Sequence, residues 1–130
     1  MELFFSSEST IREINKGFQK RFPFLKLEFY RQQAKTEQYK YWKDKLSAHV
    51  TLKETGSKLI PAMIKIDPID TVDELEQRLR NNYGLFVQVL RKSGDVWLET
   101  VQTNDFTLEK QNNIGATVPK QRYNIHTLFL

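Results

Sequence analysis

Arg12, Lys16 and Lys20 recur at four-residue intervals, which lines three cations along one side of a helix. Such a line suits phosphates or the carboxylates of an acidic protein, and an ordinary solvated helix face has the same pattern. A second group interleaves Tyr39, Tyr41 and Trp42 with Arg31, Lys35, Lys40, Lys43 and Lys45. Rings among cations are what a single-stranded nucleic-acid surface uses, because bases stack on the rings while the cations follow the phosphates. In an extended strand Tyr39, Tyr41 and Lys43 share one face. That face is a platform only if nothing packs on it. A helical stretch would instead gather Tyr39, Trp42 and Leu46.

Residues suited to catalysis are fewer. The histidines, His49 and His126, stand in no metal-ligand spacing, and His126 alternates inside an apolar strand pattern. Asp67, Asp70, Asp73, Glu74 and Glu76 gather around a predicted helix start, where capping and the helix dipole already account for carboxylates. Gly94 and Gly115 are isolated, so no glycine-rich loop is present to cradle a phosphate. With no cysteine, thiolate metal sites, disulfides and cysteine nucleophiles are excluded. These features lead us to expect a protein that is not an enzyme, with no catalytic residues, metal or cofactor.

The elements that must position these residues are written twice. Ile11, Ile14, Phe18 and Phe22 stand at offsets 0, 3, 7 and 11, and Val72, Leu75, Leu79 and Tyr83 repeat those offsets. Each set is one apolar helical stripe. Thr10 with Glu13, and Thr71 with Glu74, supply a capping box to each helix, and Pro23 and Gly84 supply the stops. Alternating strands follow at Leu25-Leu27-Phe29 and Leu85-Val87-Val89, with Arg31 and Arg91 at matching ends. Further strands are expected upstream of each helix, at Glu2–Phe5 and Ala62–Ile66. In the second copy Lys92-Ser93-Gly94-Asp95 turns the chain back as Val96–Val101, a hairpin pattern. Trp42 and Trp97 then precede Thr51-Leu52 and Thr107-Leu108 at nearly equal distance, which assigns both tryptophans to the core.

The expected architecture is therefore α+β, a tandem duplication of a β-α-β-β unit with helices on one side of antiparallel or mixed sheets. Residues 1–56 form the first repeat, 57–118 the second and 119–130 a tail strand, all within one domain. About sixty residues is marginal for a free-standing fold, so the repeats are expected to share a core. Within each unit a right-handed βαβ crossover is expected.

The net charge of +4 is uneven: residues 1–50 hold ten Lys/Arg against six Asp/Glu, and residues 51–130 hold ten against ten. Where the first helix carries Arg12, Lys16 and Lys20, the second carries Asp73, Gln77 and Asn81. The shared backbone tolerates either set, so the cations are free to serve a partner. No basic leader or long apolar run opens the chain, so we expect a cytoplasmic protein without a membrane anchor.

Val96-Trp97-Leu98-Glu99-Thr100, followed by Asp105-Phe106-Thr107-Leu108-Glu109-Lys110-Gln111-Asn112, resembles a segment of an uncharacterised family of small bacterial proteins. The likeness runs from the second helix to Gly115, about a third of the chain, and the first repeat departs from it. It implies a bacterial, non-secreted setting and carries no activity with it.

The function expected from sequence is a small binding module that meets another protein or a second copy of itself. The partner-binding candidates are Arg12, Lys16, Lys20, Arg31, Tyr39, Lys40, Tyr41 and Lys43. Ile125, Leu128 and Leu130 of the tail are candidates for an oligomer edge, by strand addition or exchange. The alternative is nucleic-acid binding through the basic face of the first repeat.

Overall fold

The computed structural model describes residues 1–31 and 44–117. In chain order the elements are β1 (Glu2–Phe5), α1 (Ile11–Phe18), β2 (Leu25–Tyr30), β3 (Ala62–Lys65), α2 (Val72–Tyr83), β4 (Phe86–Ser93) and β5 (Val96–Glu99). A third helix, α3, covers 108–117. Short 3-10 turns lie at Leu52–Thr55 and Val101–Thr103.

Both capping boxes form with the same geometry. Glu13 N–H donates to Thr10 Oγ1 at 3.1 Å and Thr10 N–H to Glu13 Oε1 at 3.3 Å. The corresponding bonds between Glu74 and Thr71 have the same two lengths. Each box satisfies N–H groups that a helix start leaves without intrahelical partners. The backbone around each start is also held alike. Ile11 and Arg12 donate to Val50 and Ala48, while Leu52 and Lys53 donate back to Ser9 and Ser7. At α2, Val72 and Asp73 donate to Phe106 and Asn104, while Leu108 and Glu109 donate to Asp70 and Pro68.

Two of the three strand pairings cross between the halves of the chain. β1 lies antiparallel to β3, and β2-β4-β5 form a separate antiparallel sheet. This corrects the expected βαβ crossover, since β1 and β2 belong to different sheets. Nor does each half form a sheet of its own. The reason is size: half of this chain has too little apolar surface to close a core alone. In the β2–β4 register Leu27 faces Val89 and Phe29 faces Val87, so both halves contribute to one buried face. α1 packs on β1 and β2 and α2 on β4, covering that face with Ile11, Ile14, Phe18, Val72, Leu75 and Leu79. Phe5 of β1 meets Phe29 of β2 with ring centroids 6.1 Å apart, joining the two sheets in one core.

Three local differences from the sequence expectation have simple causes. α1 ends at Phe18, and Phe22 reaches the core from the turn that follows, because Pro23 disfavours helical backbone at the residue before it. Leu85 precedes β4 while remaining buried. Trp97 is only half-buried: its register partner is Lys92, and both lie on the sheet face away from the helices. Lys26 and Lys92 approach its ring at 5.0 and 5.9 Å, a cation–π arrangement that replaces the expected core role. The expected strand at Tyr39–Lys43, Trp42 and the tail 119–130 lie outside the described residues.

The hairpin between β4 and β5 turns on Gly94-Asp95. Gly94 has φ 61°, in the left-handed region where a Cβ is strained. The joint between halves is pinned: Ser57 Oγ donates to Tyr83 O, and Thr55 is buried with its hydroxyl on Leu52 O at 2.6 Å.

Candidate functional site

Asn15 faces the outer edge of β2 and closes it. Leu27 N–H donates to Asn15 Oδ1 at 2.7 Å, and Asn15 Nδ2 donates to Leu27 O at 2.8 Å. One side chain thus supplies the donor and acceptor that a neighbouring strand would supply. Gln19 Nε2 continues the edge by donating to Leu25 O at 3.0 Å. Further along, Leu46 N–H donates to Phe29 O at 2.9 Å and Arg31 N–H to Asp44 O at 3.1 Å.

Between α1, β2 and the segment 45–48 lies a cleft of about 590 Å³. Its charged lining is Arg12, Lys16, Lys26, Lys45 and Glu28, four cations to one carboxylate. Glu28 Oε2 holds Lys45 Nζ at 3.1 Å, and Glu28 Oε1 accepts from the Tyr30 hydroxyl at 2.9 Å. The Lys45 side chain stays 55% exposed. Burial lowers the Lys26 ammonium below its ordinary value; the Glu28 charge opposes this, and the Lys45 charge adds to it. Arg12 and Lys16 are exposed and have no ion pair among the described residues. The cleft therefore presents a net positive field to any ligand.

A short connection borders the cleft. From Leu46, bonded to Phe29 O, one residue (Ser47) leads to Ala48, bonded to the start of α1. In the second half Thr100 Oγ1 donates to Val89 O at 2.7 Å, and three residues, Val101–Thr103, lead to Asn104 at the start of α2.

The sequence candidates are distributed unevenly. Arg12 and Lys16 line the cleft. Lys20 is exposed in the turn after α1 and does not line it. Arg31 is turned to Glu54, with Nη1 3.2 Å from its carbonyl and 3.4 Å from its carboxylate. Tyr39, Lys40, Tyr41, Lys43, Ile125, Leu128 and Leu130 lie outside the described residues. Lys26, Lys45, Asn15 and Gln19 were not among the candidates. Lys26 was legible as the outward partner of Leu25 and Leu27, and Asn15 as a poor helix former inside a helix.

The acidic cluster near α2 is internally engaged. Asp70 Oδ2 accepts from Arg78 Nη2 at 2.7 Å and from Asp67 N–H at 3.0 Å. Burial alone would raise this carboxyl; the Arg78 and Asp67 bonds and the charges of Arg78 and Lys65 together hold it below the usual range. Asp73 accepts from Gln77 at 2.7 Å. Glu76 accepts from Val89 N–H at 2.8 Å and is pushed up to about 7, first by burial and then by the Asp73 charge. Among the described residues no group of three or more His, Cys, Asp and Glu is placed to hold a metal ion. His49 is exposed in the turn before Val50. No helix among the described residues is long and apolar enough to cross a membrane.

No protein-family model, curated protein or solved structure matches this chain.

Proposed function

We propose that this protein is a non-enzymatic binding module, a tandem duplication whose second copy completes the fold and whose first copy holds an acidic protein partner in the α1–β2 cleft. The observation that carries the reading is the cleft itself, with Arg12, Lys16, Lys26 and Lys45 around one carboxylate. Duplication is supported by the paired capping boxes and by the four matching backbone bonds at each helix start. On that correspondence Arg12, Asn15 and Lys16 have as counterparts Asp73, Glu76 and Gln77. The frame is common to both, so the charges distinguish the copies. A protein is favoured over a nucleic acid because, among the described residues lining the cleft, no exposed aromatic ring offers a base a stacking surface.

The test is fluorescence anisotropy with a labelled Glu-rich peptide and labelled single- and double-stranded oligonucleotides, at about 50 and 200 mM salt. Peptide binding should fall at least about tenfold, or roughly 1.4 kcal/mol, in the double variant Arg12→Asp with Lys16→Gln. Lys20→Asn should leave it unchanged. Peptide binding that survives the double variant refutes the cleft. Oligonucleotide binding that exceeds peptide binding and weakens steeply with salt replaces the protein partner with nucleic acid.

A further inference from the structure

The one carboxylate lining the cleft already holds one of its cations. Glu28 Oε2 stands 3.1 Å from Lys45 Nζ, an ion pair at hydrogen-bonding distance. The two ends of the pair are unlike. Glu28 projects from β2 with its side chain only 13% exposed, while the Lys45 side chain is 55% exposed. Glu28 Oε1 is 2.9 Å from the Tyr30 hydroxyl, and that hydroxyl is 2.9 Å from Gln88 Oε1 on β4. Both carboxylate oxygens are engaged, and the group is held against the sheet.

Lys45 does not need Glu28 to stay beside the cleft. Its backbone bridges to Tyr30, with Leu46 N–H on Phe29 O at 2.9 Å and Arg31 N–H on Asp44 O at 3.1 Å. Backbone bonds on either side fix where the lysine starts, and the ion pair sets only where its ammonium points. Glu28 is the one ion-pair partner of Lys45 among the described residues. Its charge reaches a second cation too. Burial lowers the Lys26 ammonium most; the Glu28 charge opposes this and the Lys45 charge adds to it. One carboxylate thus acts on two of the four cations that a ligand would meet.

We infer that Glu28 is an internal competitor of the acidic ligand: it occupies Lys45 in the free protein, and a ligand carboxylate takes that ammonium from it. The inference rests on the cleft function proposed above and concerns its regulation. Glu28 is held by its strand and by the Tyr30 hydroxyl, so its charge stays in the cleft and repels the ligand. The cleft therefore binds below the affinity that its four cations alone would give. A single carboxylate gains little by displacing Glu28, whereas a run of carboxylates that also meets Arg12 and Lys16 gains more.

Peptide anisotropy on Glu28→Gln tests this in the full chain. Glutamine keeps the size of the side chain and an oxygen for the Tyr30 hydroxyl, and circular dichroism checks the fold. Affinity for the labelled Glu-rich peptide should rise about fivefold at about 50 mM salt, the scale of one screened charge pair, and by less at about 200 mM. Glu54→Gln makes the same change in net charge at the Arg31 pair outside the cleft and should leave affinity nearly unchanged. A second measurement needs no change to the binding protein. The Glu28 side-chain carboxyl carbon, assigned by its loss in Glu28→Gln, should shift in the wild-type NMR spectrum as peptide is added and Lys45 leaves it.

Wild-type binding through Arg12 that Glu28→Gln leaves unchanged or weakens overturns the competition while the cleft function stands. So does a gain matched by Glu54→Gln, or a Glu28 carboxyl resonance that stays fixed while peptide saturates the cleft. If neither the wild type nor Glu28→Gln binds the peptide, the cleft function fails and the competition with it. Binding that emerges only in Glu28→Gln supports both.

Discussion

Replacing Glu76 by glutamine should stabilise the protein at alkaline pH and do little in acid. Glu76 is drawn into the structure between α2 and β4, where its carboxylate accepts the Val89 N–H at 2.8 Å. Burial raises its pKa from 4.5 to about 7; the Asp73 charge adds to the rise, while the Val89 bond and the Arg80 charge oppose it. The folded state therefore holds a proton that the unfolded chain releases at lower pH. The contribution of the neutral carboxyl is fully present below pH 4.5 and is lost as pH rises through 7. A shift of this size, at 1.36 kcal/mol per unit, corresponds to about 3 kcal/mol. Glutamine has the same shape, keeps an oxygen for the Val89 N–H and cannot ionise. The first half already uses this solution, since Asn15 accepts the Leu27 N–H at 2.7 Å through an amide oxygen. Urea denaturation of both proteins from pH 4.5 to 9 gives the difference directly, and other titrating groups cancel in it. The difference should be near zero at pH 4.5 and reach about 3 kcal/mol in favour of Glu76→Gln by pH 9. A pH-independent difference, or a glutamine variant that is less stable at pH 9, would refute the account of Glu76 as a buried, strained carboxylate.

Asn15→Ala should cost about 2 kcal/mol in urea denaturation, because it strips the partners from both backbone groups of Leu27 at once. An unchanged midpoint would mean that water replaces the amide at the β2 edge. The glycines Gly115 and Gly17 should behave differently although a new Cβ meets an atom at 2.8 Å in each. At Gly115 that atom is Phe24 Cβ, with Arg91 Cγ and Lys92 O both at 3.3 Å, so alanine should destabilise by about 1–3 kcal/mol. At Gly17 it is the far end of the Leu3 side chain, which can turn away. Alanine's helix preference of roughly 1 kcal/mol offsets the adjustment there, leaving thermal stability nearly unchanged.

What the sequence disclosed was local. Thr10 and Thr71 each have their glutamate three residues on, and the stripe Ile11-Ile14-Phe18 has its spacing within two turns, so the helix starts and their buried faces were readable. Strand pairing was not, because alternation at Leu3 and Ile64, or at Leu27 and Val89, shows that a strand has a buried face but not which strand lies beside it. The expected crossover failed for that reason. Trp97 misled because a place matched in both repeats suggests a core role, while its register opposite Lys92 sends it to the outer face. The cleft was half-readable: Arg12 and Lys16 follow from helix periodicity, but Lys26 and Lys45 join them only through the fold of β2 and the bridge from Lys45 to Tyr30.

The closure of the β2 edge bears on the binding proposed for the cleft. A strand edge left open recruits an extended peptide through its backbone, with little regard to side-chain charge. Here Asn15, Gln19 and Leu46 already occupy the outward-facing carbonyls of Leu25, Leu27 and Phe29 and the N–H of Leu27. A ligand in the cleft therefore finds little ladder to extend, and on the proposed reading its affinity comes mainly from Arg12, Lys16, Lys26 and Lys45 acting on its charge. Exposed ion pairs are individually weak and screened by salt, so several must act together for a stable complex. That requirement favours a partner whose carboxylates are already held at the right separations over a flexible acidic chain, which must be ordered on binding.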